Sequence, residues 1–364
     1  MTLDLHTAPV HPSHAARSSV TPSPVTRPDR RLHAPGSGRP AKRDQRLGHR
    51  HDDAHRIQGR WVGEQGGHRQ GDHGHWERDG VRVCHVDSAT ARTLLAERPR
   101  GTGVVDTRHF RAFRTGRTLT VLHRFDAETI SDDAAGLIAA ELDATGMLAG
   151  PAEFEATLIG LVHSAPGHVP GHPAHHVAAS PWIPFYRNSV AALERGSAAF
   201  APVHRRAEQL ISGTEVLDLG SCFGFFPLRL ARDRRTAPLS VTATDLSAGT
   251  MRLLDDAASA MQRPLRTLTC DAASVPLPDR AADTVTVLHL LEHLPPRKAF
   301  AVVQEAVRLA RRRVIVAVPY EGQAQTCFGH VQTFDARDLH TLGTRLGMGY
   351  TVGDHHGGWL VLDH

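Results

Sequence analysis

The sequence of 364 residues predicts an α/β protein whose C-terminal half, from about residue 180 onward, folds as a doubly wound sheet. The apolar run at 216–219 is typical of a strand buried on both faces. It ends in a loop of small residues and leads into a helix near Phe225, and strands and helices alternate from there to the C-terminus. This alternation is typical of a mostly parallel sheet covered by helices on both sides.

Residues 1–78 predict a disordered arm. They are rich in Arg, His, Pro, Gly and Ser and hold few large apolar side chains, so they bury too little area to offset the entropy lost on ordering. A metal ion is one interpretation of the arm's histidines, but a solvated tail is the favoured one. These histidines are His49, His51, His55, His68, His73 and His75.

Residues 79–164 predict a small α+β region. The segments 81–86 and 118–125 have the β-branched, partly alternating character of strands. The segment 131–146 begins with a serine N-cap and an acidic first turn, keeps a helical apolar period and ends at Gly146. A lid or a substrate-specificity module is the role that its position suggests.

A linker or loop is expected at 165–182, and a mostly helical stretch follows at 185–211. The linker holds His172, His175 and His176, but no matching carboxylate or thiolate pattern accompanies them. We therefore predict no metal site from the sequence.

The most informative stretch is 215–231, a strand, a tight loop and the start of a helix. In this arrangement the backbone N–H groups at the helix N-terminus face a ligand. A dinucleotide fold would show G-x-G-x-x-G here, whereas this loop is D-x-G-x-C-x-G, from Asp218 to Gly224.

Further strands and helices complete the predicted domain, residues 183–364. The segment 241–247 is a second strand that ends at Asp245, and Asp283 opens a later strand. A helix at 297–310, a strand at 311–322 and a helix near 335–346 follow. Closing strands at about 349–354 and 358–363 bring the sheet to seven strands, the last of them antiparallel.

Composition limits the classes of function. The net charge of +4 arises within residues 1–80, where thirteen Lys and Arg face nine Asp and Glu, so no basic groove for nucleic acid is indicated. The four cysteines show no CxxC spacing and are expected to be free thiols. The apolar runs are too short for a membrane span, and no signal-peptide stretch is present, so we expect a cytoplasmic protein.

The stretch 215–231, with 241–247 and 267–296 in that order, resembles class I S-adenosylmethionine-dependent methyltransferases of the type 11 kind. Cys222 stands where that family has the middle glycine of its first motif. The resemblance implies that Asp245 binds the ribose hydroxyls, that Asp271 accepts the adenine amino group and that Ala272 supplies a backbone donor. Helix capping is the alternative role for Asp245 and Asp271. The cofactor-binding residues implied are Asp218, Gly220, Ser221, Cys222, Gly224, Asp245, Leu246, Asp271, Ala272 and His289.

Transfer of a methyl group to an alcohol also requires loss of a proton, which favours a general base with a pKa near neutrality. His293 is the first candidate and His330 the second, and Glu292 ranks below both. All three lie in segments expected to reach the substrate end of the sheet. His289 is expected to border the cofactor through its backbone.

A narrower resemblance comes from the FYRN segment at 185–188 and the SCFGF loop at 221–225. Both are similar to actinobacterial methyltransferases that modify the oligosaccharide of mycofactocin. This resemblance implies a glycosylated small-molecule acceptor, methylated on a glucose hydroxyl. A quinone-like or lipid acceptor is one alternative, and a catalytically silent S-adenosylmethionine-binding protein is another.

Overall fold

The structure, a computed structural model, describes residues 74–97, 103–167, 180–232 and 239–364. These residues belong to one compact unit, His49–His364. The predicted disorder of the arm up to residue 73, and the linker histidines His172, His175 and His176, lie outside the described residues. Among the helices of the described ranges, none combines the length and the apolar character that a membrane crossing requires.

The N-terminal region is a five-stranded sheet with helices, in agreement with the predicted α+β character. Its strands have the order β1-β2-β5-β4-β3, with β2 and β5 parallel and the other neighbours antiparallel. The strands are β1 (His75–Arg78), β2 (Val81–His85), β3 (Val105–Asp106), β4 (Phe110–Thr115) and β5 (Thr118–His123). The helices are α1 (Ala89–Ala96), α2 (Asp133–Ile138), which continues as a π-helical turn (Ala139–Asp143), and α3 (Pro151–Ser164).

The first strand of this sheet begins four residues before the predicted boundary at residue 79. β1 lies before it, and Trp76 of this strand is part of the main core. The residues on either side of Trp76 are polar, and one buried aromatic residue among them does not make an alternating pattern that predicts a strand. Trp76 is buried because α3 packs on β1 and β2 at Gly160, where a Cβ atom would lie 2.4 Å from Val83 Cγ2.

The C-terminal region is the predicted doubly wound sheet. Two helices precede it, α4 (Trp182–Arg195) and α5 (Ala201–Leu210), because Gly196 ends the helical stretch in a left-handed conformation at φ 83°. The strands are β6 (Glu215–Leu219), β7 (Ser240–Asp245), β8 (Arg266–Thr269), β9 (Ala282–Leu288), β10 (Ala310–Val318), β11 (Gly349–Asp354) and β12 (Gly358–Asp363). The helices between them are α6 (Phe225–Leu230), α7 (Ala248–Ala260), α8 (Pro296–Leu309) and α9 (Ala336–Leu346).

The seven strands have the order β11-β12-β10-β9-β6-β7-β8. β12 is antiparallel to both of its neighbours, and the other pairs are parallel, which confirms the predicted antiparallel last strand. The chain runs outward from β6 through β7 to β8 and then crosses to β9 on the other side. The loops after β6 and β9 therefore diverge, and such a switch point opens a crevice at the carboxyl edge of the sheet.

The two regions share one core. Residues of β2, β5, α3, α4 and α7 belong to the same buried apolar cluster. Polar contacts add to it: the Asn188 side chain donates to the carbonyls of Ala127 (3.0 Å) and Ile130 (2.8 Å). The backbone N–H of Asp132 donates to Ser189 Oγ at 2.9 Å. The segment 127–132 is thereby fixed to α4.

Candidate functional site

The loop after β6 turns sharply at the carboxyl edge of the sheet. Gly220 and Gly224 have left-handed φ values of 68° and 70°, and Cys222 between them has a φ of 50°. Added Cβ atoms would lie 2.7 Å from Leu290 at Gly220 and 2.3 Å from Leu254 at Gly224. Both glycines are thus required by backbone conformation and by close packing. Cys222 adopts the left-handed conformation of the glycine that it replaces and is exposed.

Asp218 lies beneath this loop. Its carboxylate Oδ1 accepts the Thr286 hydroxyl of β9 at 2.5 Å, and its backbone carbonyl accepts the hydroxyls of Ser221 and Thr244. Burial raises the pKa of Asp218 to about 6, against the opposing effect of the Thr286 hydrogen bond. The acid at the end of β6 therefore joins β6, β7 and β9 under the crevice.

Asp245 ends β7 and connects the second strand to the loop. Its Oδ2 accepts the backbone N–H of Cys222 at 3.0 Å, and its Oδ1 accepts the backbone N–H of Ser247 at 2.9 Å. Burial raises its pKa. The helix N-cap of α7 is instead Ser247, whose hydroxyl accepts the Thr250 N–H. Capping of α7 is therefore not the role of Asp245, and the next residue, Leu246, is exposed over 41% of its surface.

Asp271 follows β8 on the same edge. Its Oδ2 lies 2.9 Å from Lys298 Nζ of α8, and its Oδ1 accepts the backbone N–H of Ala273 at 2.9 Å. No helix begins here, so Asp271 closes a turn, with Ala272 at its bend. The ion pair with Lys298 was not predicted, since nothing in the sequence links the start of α8 to this turn.

Tyr186 of α4 was not predicted as a site residue. Its side chain is fully buried, and its hydroxyl has no hydrogen-bond partner among the described residues. Burial raises its pKa, and the nearby groups of Cys222, Asp132 and Asp245 act in the same direction. The Tyr186 ring meets the rings of Phe223 and Phe225 at centroid distances of 6.2 and 5.5 Å, so the tyrosine of the FYRN segment packs against the loop after β6.

The three predicted base candidates lie together. Glu292 and His293 belong to a short 3-10 helix (Leu291–His293) after β9, and His330 lies in the segment after β10. Ligand atoms of the three side chains all lie within 4.8 Å of one another. The rings of His293 and His330 meet edge to face with centroids 4.8 Å apart. Burial lowers the pKa of His293, although the charge of Glu292 opposes this shift.

Glu292 is fully buried, and neither of its carboxylate oxygens accepts a hydrogen bond from a described residue. His289 Nδ1 lies 3.2 Å from Oε1 of Glu292, and the backbone N–H of His289 donates to the Ala317 carbonyl at 2.9 Å. His330 is also buried, and its Nδ1 lies 2.9 Å from Glu321 Oε2. Glu321 was not predicted as a site residue, because an acid three positions past the end of β10 has no sequence signal of its own.

The comparisons with known proteins agree with this geometry. Residues 217–318 match the family model described as a methyltransferase domain, which supports an S-adenosylmethionine-dependent methyltransferase. No curated protein matches this chain. The match covers the loop after β6, β7 to β9 and the Glu292–His293 pair, so it includes most of the predicted cofactor site.

Several solved structures are similar at low levels. A SAM-dependent methyltransferase from Aquifex aeolicus has 13% identity and a TM-score of 0.37, over 48% of this chain and 97% of that one. The magnesium protoporphyrin IX methyltransferase of Synechocystis PCC 6803, solved with bound SAM, has 19% identity and a TM-score of 0.36, over 49% of this chain and 82% of that one. Similarity at this level says nothing about the acceptor.

Proposed function

We propose that this protein transfers a methyl group from S-adenosylmethionine to a hydroxyl oxygen of a small-molecule acceptor, a glucose unit of the mycofactocin oligosaccharide. Methyl transfer from S-adenosylmethionine is supported mainly by the hydrogen bond from the Cys222 N–H to Asp245. This bond joins the loop from Gly220 to Gly224 to the acid at the end of β7. The acceptor rests on the likeness of the FYRN segment and the SCFGF loop to enzymes of that kind.

The residues present fit the cofactor. Asp245 has carboxylate lone pairs left for the ribose hydroxyls, and the exposed Leu246 offers an apolar surface for the adenine face. Asp271 and Ala272 lie where the adenine edge would be read, and the loop from Gly220 to Gly224 would hold the methionine portion. S-adenosylmethionine supplies a methyl group already activated on a sulfonium, so the protein mainly aligns it with the acceptor.

The acceptor hydroxyl would lie at the Glu292–His293–His330 cluster. Because a hydroxyl is a poor nucleophile while it keeps its proton, a group that removes the proton is needed there. Cys327 does not compete for this role, since burial and then Asp143 raise the pKa of its thiol. The α3 residue Phe154 packs edge to face on Phe328, with ring centroids 5.3 Å apart, and so the N-terminal region reaches the segment that carries His330. We infer that this region forms a wall of the acceptor site.

A second acceptor class, a quinone-like or lipid ring, is favoured by exposed apolar side chains. Phe200 meets the His289 ring edge to face at 5.0 Å and is 41% exposed. Val331, next to His330, is 51% exposed. An apolar ring packed on either side chain would remove it from water, whereas a sugar would leave it exposed.

Isothermal calorimetry of S-adenosylmethionine with the full chain tests the donor. We expect binding by the wild type, loss of at least tenfold in affinity for Asp245→Ala, and no change for Asp255→Ala, an exposed acid of α7. Absence of binding to the folded wild type would overturn the proposal.

Mass spectrometry after incubation with glucosylated or quinol acceptors then separates the candidates. A gain of one methyl by the glucosylated acceptor supports the sugar, and a gain by the quinol supports the alternative. Donor binding without transfer to any acceptor supports a silent binding protein instead.

A further inference from the structure

The Glu292–His293–His330 cluster has the composition of a metal site. Two imidazoles and one carboxylate supply three ligands, as in catalytic metal centres that keep open positions for water or substrate. The three donor atoms lie within 4.8 Å of one another, close to the separation that ligands of one transition-metal ion require. Two segments after neighbouring strands, β9 and β10, contribute them.

The strongest observation is the state of Glu292. A carboxylate taken out of water costs several kcal/mol unless it is paired and hydrogen-bonded. Here Glu292 is fully buried and both oxygens lack hydrogen-bond donors among the described residues. Nδ1 of His289, 3.2 Å from Oε1, lacks the geometry of a hydrogen bond to it. A bound cation would compensate this charge.

His330 is oriented as metal-ligating histidines are. Its Nδ1 lies 2.9 Å from Glu321 Oε2, and both side chains are nearly inaccessible to solvent. A carboxylate on one ring nitrogen fixes the tautomer in which that nitrogen carries the proton, so Nε2 keeps a lone pair for a metal. Glu321 thus lies outside the cluster and orients one of its members.

The backbone around the cluster is held in place. The N–H groups of Val331 and Gln332 donate to the Glu292 carbonyl at 2.8 and 3.4 Å. The Gln332 side chain donates to the carbonyls of Leu291 and Leu294 at 3.0 and 2.6 Å. The segment after β10 is therefore fastened to the 3-10 helix, and the two halves of the cluster keep their separation.

We propose that Glu292, His293 and His330 bind one divalent first-row transition-metal ion, which takes the acceptor hydroxyl in an open coordination position. This inference rests on the proposed function and names the group that activates the nucleophile. The sequence predicted no metal here. The three ligands lie in two separate segments, and their positions do not match a metal-ligand spacing in the sequence.

At such a site the acceptor hydroxyl would lose its proton before it attacks the methyl group. Coordination lowers the pKa of the hydroxyl, and its proton passes to solvent. An oxygen electron pair forms the bond to the methyl carbon, while the carbon–sulfur bond breaks and its electron pair stays on sulfur. The products are a methyl ether and the neutral thioether S-adenosylhomocysteine.

The test uses the full chain, treated with a chelator, freed of it and titrated with Co²⁺. We expect d–d absorption bands of four- or five-coordinate Co²⁺ at one equivalent, bleached by competing Zn²⁺. Glu292→Gln should weaken this site at least 100-fold, and Glu321→Gln should weaken it 10- to 100-fold because it acts through His330. His340→Ala, which removes an exposed histidine of α9, should leave it unchanged. Ions held by histidines of residues 1–73 appear equally in all four proteins.

Equal Co²⁺ spectra and affinities in the wild type, Glu292→Gln and His330→Asn, with folding verified by circular dichroism, would overturn the proposal. Two variants are used because one substitution at a buried site can disturb folding. Calorimetry of S-adenosylmethionine on the metal-free protein separates the two ideas. If S-adenosylmethionine binds but no Co²⁺ spectrum depends on the cluster, only the metal proposal is refuted. If the cluster-dependent spectrum appears but S-adenosylmethionine does not bind, only the proposed function is refuted.

Discussion

Fully buried polar side chains beside the two sheets differ in their hydrogen bonding. In the N-terminal sheet, His123 is fully buried and both ring nitrogens are used: Nδ1 accepts the Phe125 N–H at 3.2 Å, and Nε2 lies 2.8 Å from Ser164 Oγ. In the C-terminal region, Glu292 and the Tyr186 hydroxyl are equally buried and accept no hydrogen bond from a described residue.

This difference separates structural groups from candidate site groups. A buried polar group that is fully hydrogen-bonded stabilises one packing arrangement, whereas an unpartnered one lowers stability unless something else binds to it. Glu292 lies after β9 at the carboxyl edge of the C-terminal sheet, and His123 lies between β5 and α3. His75 Nε2 and Arg111 Nε of the N-terminal sheet also lack a hydrogen-bond partner among the described residues, so the contrast is between His123 and Glu292 and not between whole sheets. The following predictions test how far this contrast extends.

The largest expected effect is in the packing of the N-terminal region. Gly160→Ala places a Cβ atom 2.4 Å from Val83 Cγ2 and 2.8 Å from the Trp76 ring. Because a β-branched neighbour cannot move away cheaply, we expect a loss of about 3 kcal/mol in the free energy of unfolding. Urea denaturation measures it.

The matched control is Gly136→Ala in α2, where nothing lies within 4 Å of the new Cβ. It should stabilise the protein by about 0.5–1 kcal/mol through helix propensity alone. Equal effects of the two substitutions would show that α3 does not pack on β1 and β2 as described.

The next effect concerns buried histidines, one in each region. Burial lowers the pKa of both His123 and His204 to about 3. The unfolded chain binds a proton below about pH 6.5 while the folded protein does not, so each histidine costs stability as the pH falls from 6.5 toward 3. By pH 5 the cost is about 2 kcal/mol for each histidine.

Unfolding free energies at pH 7.5 and pH 5 measure this cost. Asp132 and Asp218 oppose it, since burial raises their pKa values to about 7 and about 6, and the comparison is therefore made between variants. His123→Leu and His204→Leu should each reduce the pH-dependent loss by about 2 kcal/mol. At pH 7.5, His123→Leu should cost more, because it leaves the Phe125 N–H without its acceptor. Unchanged pH dependence would mean that these histidines are protonated in the folded state.

The C-terminal fold could be predicted closely because its parallel strands are buried on both faces. β6 is buried from Val216 to Leu219, the run from which this strand was predicted. The N-terminal sheet was predicted only in part: β1 and the polar β4 escaped, because their burial depends on α3 and β5 rather than on a local period.

The residues of the site also divide into those that the sequence could predict and those that it could not. Asp245 and the loop from Gly220 to Gly224 could be predicted, since they follow strands in a recognisable order. Tyr186 and Glu321 could not be predicted as site residues, because the sequence around each has no period or spacing that links it to the site. The roles assigned to the predicted site residues stay predictions.

A smaller effect is expected at the loop residue that departs from the glycine pattern. Cys222 has a φ of 50°, and left-handed backbone costs a side-chain-bearing residue about 1 kcal/mol. Cys222→Gly should therefore stabilise the protein by about 0.5–1 kcal/mol and leave the affinity for S-adenosylmethionine within a few fold. His356→Gly, at φ 53° in the turn between β11 and β12, is the control for backbone strain away from the site. Stabilisation by the control alone would show that the Cys222 side chain makes favourable contacts.

The smallest effect is expected for Lys298, which pairs with Asp271 at 2.9 Å. Since both side chains are partly exposed, the pair contributes less than about 1 kcal/mol to stability. Its role in the proposed cofactor site is to orient the Asp271 carboxylate toward the adenine. Lys298→Met should therefore raise the Kd for S-adenosylmethionine by two- to fivefold in calorimetry, with the unfolding free energy almost unchanged. Arg297→Met removes an exposed charge one residue earlier and should leave the Kd unchanged, because the ion pair with Asp271 is made by Lys298. Equal weakening by both would instead indicate that the net charge of α8, rather than the orientation of Asp271, sets the affinity for the cofactor.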